Sequence, residues 1–139
     1  MKKSFLSAVL LAITCAFSSC AKDVDSIIGK WQLQTVKVQL IKDGQVIESD
    51  EDHFTADATM YWHFMDESSG KYIEYYDGIE EAMEFTYTLN KNVLVITNII
   101  TGHVATLTNT KLSVVCIPTI PEGDDMYYET SYNFVRVIE

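Results

Sequence analysis

The chain has 139 residues, of which 20 are acidic and 10 are basic, and its formal net charge is −10 at pH 7. The length suits one domain, and the negative charge argues against binding to nucleic acid or to an anionic membrane surface, because both would repel it. Cysteine occurs only three times, so stability must come from a packed core, for which Phe, Trp and Tyr at 12% of the residues provide the bulk.

The first segment has the organisation of a secretion signal. Lys2 and Lys3 precede an apolar run, Phe5–Phe17, whose 13 residues are too few for the roughly 20 that a membrane-spanning helix needs. The small residues of Ser18-Ser19 directly before Cys20 resemble the lipobox of bacterial lipoproteins, in which the cysteine is acylated after cleavage. The alternative is ordinary cleavage near Ser19, which would leave Cys20 as a free thiol.

Cleavage before Cys20 divides the chain into a signal peptide (1–19), a lipid anchor and tether (20–27) and a folded domain (28–139). The mature part keeps eight basic and all 20 acidic residues, a net charge of −12, and contains no internal disulfide because Cys116 remains alone. Acidic residues soon after Cys20 resemble the surface-export signals of Bacteroidetes lipoproteins. The expected location is the cell envelope, as an outer-membrane lipoprotein that could be displayed on the surface.

Apolar and polar residues alternate with a period of two along the mature chain, and turn signals such as Asp43-Gly44, Asp77-Gly78 and Thr101-Gly102 interrupt them. The pattern predicts eight strands and a short ninth one: Lys30–Ile41, Ala58–Met65, Lys71–Tyr76, Met83–Leu89, Val93–Ile100, His103–Thr108, Leu112–Ile117, Met126–Ile138 and, as the short one, Gln45–Glu48. The acidic stretch Ile47–Asp57 lacks this alternation and is predicted to be a lid loop or a short helix. Eight or nine antiparallel strands suit a closed up-and-down barrel or a sandwich.

The first strand changes phase in its middle. Trp31 and Leu33 point one way, whereas Val36 continues the apolar face from the opposite phase, so we expect a bulge near Thr35. Such bulges favour a closed barrel over a flat sandwich. Gly29 allows the chain to bend closely beneath the Trp31 indole, which could then close one end of the sheet.

The last strand alternates regularly and places Arg136 in phase with its core-facing side chains. A buried arginine needs a partner, and the face of an indole is a suitable one. First and last strands are neighbours in a closed barrel, so we expect Arg136 to stack on Trp31 and, with Gly29, to form the floor of the barrel. The alternative is that Arg136 points to solvent at a frayed end.

Three segments of the sequence resemble those of a known family. They are Gly29-Lys30-Trp31 at the first strand, the hairpin from Tyr87 to Ile96, and the segment from Ala105 to Val114. On the basis of these segments, residues 28–138 resemble the small lipocalin-like lipoproteins of Bacteroidetes. The resemblance implies an all-β, eight-stranded antiparallel up-and-down barrel, and implies little about activity, since most members have none assigned.

Candidate catalytic and metal-binding residues do not form a pattern. His53, His63 and His103 lie in separate segments without the close spacing of metal ligands, and the acidic clusters lack the spacing of a calcium loop, so we expect no metal and no cofactor. Cys116 lies in an apolar stretch, which raises the pKa of a thiol and makes it inert. With no catalytic residue to name, we expect a protein that is not an enzyme.

Aromatic residues and one methionine share the predicted inner phase of their strands: Met60, Trp62, Phe64, Tyr75, Phe85, Tyr87, Tyr128, Tyr132 and Phe134. The interior of an eight-stranded barrel is either filled by side chains or holds one small ligand, and both alternatives are open from the sequence. If there is a cavity, the predicted ligand-binding residues are Trp62, Tyr75, Tyr87, Tyr128 and Tyr132, with tyrosine hydroxyls around an apolar pocket.

Two functions follow. The first is a non-enzymatic, lipid-anchored binding protein that takes a small apolar or amphipathic molecule into the barrel mouth opposite Trp31. The second is a filled-barrel interaction module that binds a protein partner or a surface glycan through acidic loops and through exposed tyrosines, namely Tyr72, Tyr76 and Tyr127 on the predicted outer faces.

Overall fold

The computed structural model describes residues 26–117 and 125–138, which form nine antiparallel β-strands. They are β1 (Gly29–Lys42), β2 (Gln45–His53), β3 (Ala58–Phe64), β4 (Ser69–Tyr76), β5 (Ile79–Asn90), β6 (Val93–Ile96), β7 (Ile100–Leu107), β8 (Lys111–Cys116) and β9 (Met126–Arg136). Within these residues, no helix has the length and apolar character needed to cross a membrane. The predicted signal peptide and most of the predicted tether lie outside the described residues.

Eight of the strands close into a barrel. Strands β3 to β9 pair with one another in chain order, β3 also pairs with β1, and β9 pairs back with β1 from Trp31↔Arg136 to Lys42↔Met126. The remaining strand, β2, pairs only with β1 among the described residues. The predicted antiparallel up-and-down barrel is confirmed.

Strand β1 is long enough to serve two neighbours on one side. Its first part, Gly29–Gln32, pairs with β3, and its second part, Thr35–Lys42, pairs with β2, while β9 lies along both parts. The register against β9 shifts between Leu33 and Thr35, so the predicted bulge near Thr35 is confirmed. The bulge turns Val36 to the same interior side as Leu33, and both pack in or against the core.

A three-stranded ribbon begins where β1 stops pairing with β3. This extension consists of residues 35–42 of β1, residues 45–53 of β2 and residues 126–133 of β9, and residues 126–129 of β9 lie beyond the last pair with β8, Cys116↔Thr130. All of β2 is exposed. The prediction of a lid loop or short helix over Ile47–Asp57 is wrong, since Ile47–His53 belong to β2. An exposed edge strand buries neither face, so it has no need for alternating apolar residues.

The hydrophobic core lies in the half of the barrel where β1 begins. Twelve buried residues form it: Ile27, Trp31, Leu33, Trp62, Phe64, Phe85, Tyr87, Leu94, Ile96, Leu112, Val114 and Phe134. Ring centroids of Trp62 and Phe134 are 4.4 Å apart, and those of Phe64 and Tyr87 are 4.8 Å apart. Such aromatic pairs contribute about 0.5–1.5 kcal/mol each beyond their burial. Ile27, which the sequence assigns to the tether, packs in this core.

Arg136 closes this end of the barrel, which we call the closed end. Its guanidinium carbon lies 4.2 Å from the centroid of the fully buried Trp31 ring, and its nitrogens donate hydrogen bonds to the carbonyl oxygens of Ser26, Ile28 and Asn109 at 2.7–2.8 Å. The Trp31 indole N–H donates to the Ile27 carbonyl at 2.8 Å. The predicted stacking of Arg136 on Trp31 is confirmed, and the solvent-facing alternative is wrong.

Gly29 is required where the guanidinium crosses the start of β1. Its φ of 136° lies in the region that side chains disfavour, and a Cβ atom there would overlap Nη1 of Arg136. Backbone conformation and close approach thus both select glycine at this position.

Strand boundaries differ from the predicted ones around the β6–β7 hairpin. Strand β6 ends at Ile96, and residues 97–99 form the turn, whereas the predicted turn Thr101-Gly102 lies within β7. A Cβ at Gly102 would lie 2.8 Å from the Cys116 sulfur. This glycine therefore permits close approach inside a strand, and the interpretation of it as a turn signal is wrong.

The closed end predicts a specific coupling between Gly29 and Arg136. Gly29→Ala should lower the free energy of unfolding by about 3 kcal/mol or more, from backbone strain plus overlap with the guanidinium. In an Arg136→Ala background the overlap is absent, so the same substitution should cost only about 1–2 kcal/mol.

Urea unfolding of the two single variants and the double variant measures this coupling. Gly44→Ala is the control, since Gly44 also has a positive φ of 75°, but a Cβ atom added there would meet no other atom within 4 Å. Equal costs of Gly29→Ala in both backgrounds would contradict the account of this end.

Candidate functional site

A cavity of about 600 Å³ lies at the end of the barrel away from Arg136. It is bounded by the beginning of β3, the end of β4, the middle of β1 and β9, and the segment that leads from β2 to β3. The residues that line it are Leu33, Val36, Asp52, Phe54, Ala58, Thr59, Met60, Tyr72, Glu74, Tyr75, Tyr76 and Tyr132. Exposed side chains such as Asp52, Glu74 and Tyr76 place its rim in contact with solvent.

The cavity exists because β1 and β3 separate after a short ladder. Their pairing ends at Gln32↔Tyr61, and from there β1 turns through its bulge to follow β2 instead. The buried Thr59 hydroxyl donates a hydrogen bond of 2.9 Å to the Leu33 carbonyl at this divergence. The bond satisfies a carbonyl that no longer has a ladder partner on β3 and fixes the width of the opening.

The base of the cavity is apolar and rests on the packed core. Leu33, Val36 and Met60 line it, and Tyr132 connects it to Trp62, whose ring centroid is 6.1 Å from that of Tyr132. Trp62 is only 1% exposed, and its indole N–H has no hydrogen-bond partner within the described part of the chain. A rigid aromatic layer thus separates the cavity from the closed end.

Polar groups of the cavity include a tyrosine–carboxylate pair on β4. The Tyr72 hydroxyl donates a short hydrogen bond to Oε1 of Glu74. Burial, together with the neighbouring Glu74 carboxylate, raises the pKa of Tyr72, so its hydroxyl stays protonated and remains a donor. Burial also raises the pKa of Tyr132. Tyr72 and Tyr132 therefore act as neutral hydrogen-bonding groups.

The structure brings only some of the predicted ligand-binding residues together. Tyr75 and Tyr132 line the cavity, and Trp62 lies beneath it. Tyr128 lines a separate surface depression with Val38 and Leu40 and is 57% exposed. Tyr87 is buried at the closed end, where its hydroxyl donates to the Asp66 carbonyl, so its predicted position near the open end is wrong.

The predicted phase of β4 is reversed in the structure. Tyr72 and Glu74 pair directly with Trp62 and Met60, whose side chains belong to or pack against the core, so Tyr72, Glu74 and Tyr76 lie in the inward phase. The assignment of Tyr72 and Tyr76 to the outer face is therefore wrong. Tyr75 lies in the outward phase, where it pairs with Thr59, and both of these residues also line the cavity.

A glycine could have revealed the correct phase of β4. Gly70 pairs directly with Phe85, and a Cβ atom at Gly70 would lie 2.6 Å from the Phe85 ring. A glycine that receives a buried aromatic ring faces the interior, and residues two and four positions later must face the same way. No comparable signal marks Asp52 or Phe54, because they belong to the segment that lacks alternation.

Groups with nucleophilic or metal-binding chemistry are not assembled at the cavity. Burial raises the pKa of the Cys116 thiol to about 11, which agrees with the prediction that this cysteine is inert. In residues 26–117 and 125–138, no group of three or more His, Cys, Asp or Glu side chains could hold a metal ion.

A closed antiparallel barrel with a cavity at one end has the architecture of a lipocalin-like binding domain, which is generally a binding rather than a catalytic fold. The lipocalin-like domain family matches residues 27–114, which is more than half of the chain, so this protein belongs to that family. No curated protein and no solved structure matches it.

Proposed function

We propose that this protein is a non-enzymatic, lipid-anchored binding protein that holds a small apolar or amphipathic molecule in the cavity above Trp62. The observation that carries the proposal is the cavity itself. Its volume of about 600 Å³ falls within the range of roughly 300–1,000 Å³ that is typical of small-molecule sites. Its lining combines an apolar base with a few tyrosine and carboxylate groups, which is the usual composition of such sites.

The two ends of the barrel have different tasks in this proposal. The closed end, with Trp31 and Arg136, provides a rigid base, so the cavity is formed before a ligand arrives. A preformed cavity binds with little ordering cost. The apolar part of a ligand would contact Leu33, Val36 and Met60, while tyrosine hydroxyls near the rim would orient its polar part.

The alternative function, a filled-barrel interaction module, depends on tyrosines exposed on the outer faces. Tyr72 and Tyr76 instead line the cavity, so two of the three tyrosines that motivated a protein or glycan partner support ligand binding. Tyr127 keeps the outward phase of β9, where it is partly buried opposite Ile41.

Anchoring through Cys20 would orient the cavity away from the membrane. Ser26 and Ile27 contact the closed end, where the Ser26 carbonyl accepts a hydrogen bond from Arg136. The acylated cysteine would be six residues earlier, within about 20 Å of the closed end even if that segment were fully extended. The opposite end, with its cavity, would then face the surrounding medium, and an outer-membrane lipoprotein would present it to small molecules there.

The cavity predicts binding of the neutral fluorescent probe N-phenyl-naphthylamine by the purified protein. Ala58→Phe places a ring in the cavity and should weaken probe affinity about tenfold or more, which corresponds to ~1.4 kcal/mol. Fluorescence titration measures the affinity of each variant.

Ala82→Phe is the matched control for the probe titration, because Ala82 is exposed and pairs with Ile73 on the outward face of β5. It should leave the affinity unchanged. Failure of the unmodified protein to bind the probe, or equal binding by Ala58→Phe, would count against the cavity as the site.

Lipid attachment predicts that the protein incorporates labelled fatty acid when it is expressed in a bacterium with a lipoprotein-processing pathway. Cys20→Ala should abolish incorporation, because the thiol of that residue carries the acyl chains. Cys15→Ala and Cys116→Ala are the controls and should retain the label. Persistent labelling of the Cys20→Ala protein would reject the assigned site.

A further inference from the structure

The rim of the cavity carries carboxylates that face inward. Asp52 and Glu74 line the cavity. Asp52 pairs directly with Val36, which packs against the core, so Asp52 lies on the inward face of the extension. Asp50 and Glu48, two and four residues earlier on β2, share that face because side chains alternate along a strand.

A second group of carboxylates lies on β4 and β5, which have a paired strand on each side. Glu74 on β4 pairs directly with Glu81 on β5 and with Met60 on β3, and Met60 packs against the core. Like charges directly opposite each other destabilise a sheet. Neither glutamate has an ion-pair partner among the described residues. Charges on an edge strand such as β2 can discourage unwanted strand pairing, but Glu74 and Glu81 are not on an edge, so that explanation does not apply to them.

Basic side chains in the described part of the chain do not compensate this charge. Among residues 26–117 and 125–138, none of those that line the cavity is Lys, Arg or His. On the inward face of β1 the next basic residue is Lys42, six positions beyond Val36 and therefore about 20 Å along the strand. Lys37 lies in the outward phase, where its neighbour on the adjacent strand is Glu51. A concave site lined by one sign of charge concentrates ions of the opposite sign.

We infer that the ligand is a cationic amphiphile, whose apolar body occupies the cavity and whose ammonium group is held at the rim by Asp52 and Glu74. This inference rests on the proposed function and specifies its ligand class. The ring faces of Tyr72 and Tyr76, which also line the cavity, can contact the cation as well. The hydrogen bond from the Tyr72 hydroxyl positions the Glu74 carboxylate at the rim before the ligand arrives. The same charges reject an anionic amphiphile of equal length.

A matched series of ligands tests the inference. Decylammonium, decanol and decanoate have the same apolar chain and differ in the charge of the head group, and each is used to displace N-phenyl-naphthylamine from the purified protein. At low ionic strength decylammonium should displace the probe at a concentration about tenfold below that of decanoate, with decanol between them. The difference should narrow in about 0.5 M NaCl, because salt screens exposed charges.

Two conservative variants locate the effect. Glu74→Gln should reduce the preference for decylammonium over decanol about threefold to tenfold, and circular dichroism together with urea unfolding establishes that the variant is folded. Glu80→Gln is the matched control, since Glu80 pairs with Tyr75 in the outward phase of β5. It should leave the preference unchanged.

The outcomes separate the two proposals. If neither the neutral probe nor decanol binds, the proposed function itself fails. If both bind and the three decyl ligands compete equally, the cavity stands and the inferred ligand class is overturned. An equal effect of Glu74→Gln and Glu80→Gln would overturn the assignment of the cation to the rim.

Discussion

The stacking of Arg136 on Trp31 is the interaction on which the rest of this barrel depends. One guanidinium covers the indole and binds carbonyls of the segment before β1 and of the β7–β8 turn, so it joins the first strand, the last strand and a hairpin turn in one place. Because this end is closed by a side chain, the core residues can concentrate there. Core side chains therefore do not fill the other end of the barrel. There β1 separates from β3, and a cavity lies between them.

The closed end follows from the sequence because each of its constraints is local or periodic. Trp31, Leu33 and Val36 require a bulge in any closed sheet, since otherwise one of them would face water. Arg136 lies in phase with the core-facing side chains, so its guanidinium needs an interaction partner. Closure of the barrel places the last strand beside the first one, and Trp31 of the first strand becomes that partner. The burial of apolar residues, which underlies these constraints, is the strongest signal that a sequence contains.

The open end could not be predicted as well, because its residues are not selected for burial. Both faces of β4 carry aromatic residues, so alternation alone does not show which face is inward. Tyr72 and Tyr76 share the inward face with Glu74, and an acidic residue normally indicates a face that is exposed to solvent. The edge strand β2 is exposed on both sides and so has no alternation from which Asp52 could be placed. Local rules are weakest where side chains serve a site instead of the core.

Isotope-labelled methionine methyl groups offer the most direct measurement of the division between a packed end and a binding end. Met60 lines the cavity, whereas Met65 follows β3 at the closed end and is 47% exposed. During a titration with N-phenyl-naphthylamine, followed by nuclear magnetic resonance, the Met60 methyl signal should move to saturation and the Met65 signal should stay in place. A Met60 signal that does not move while the probe binds, or an equal movement of Met65, would contradict the account.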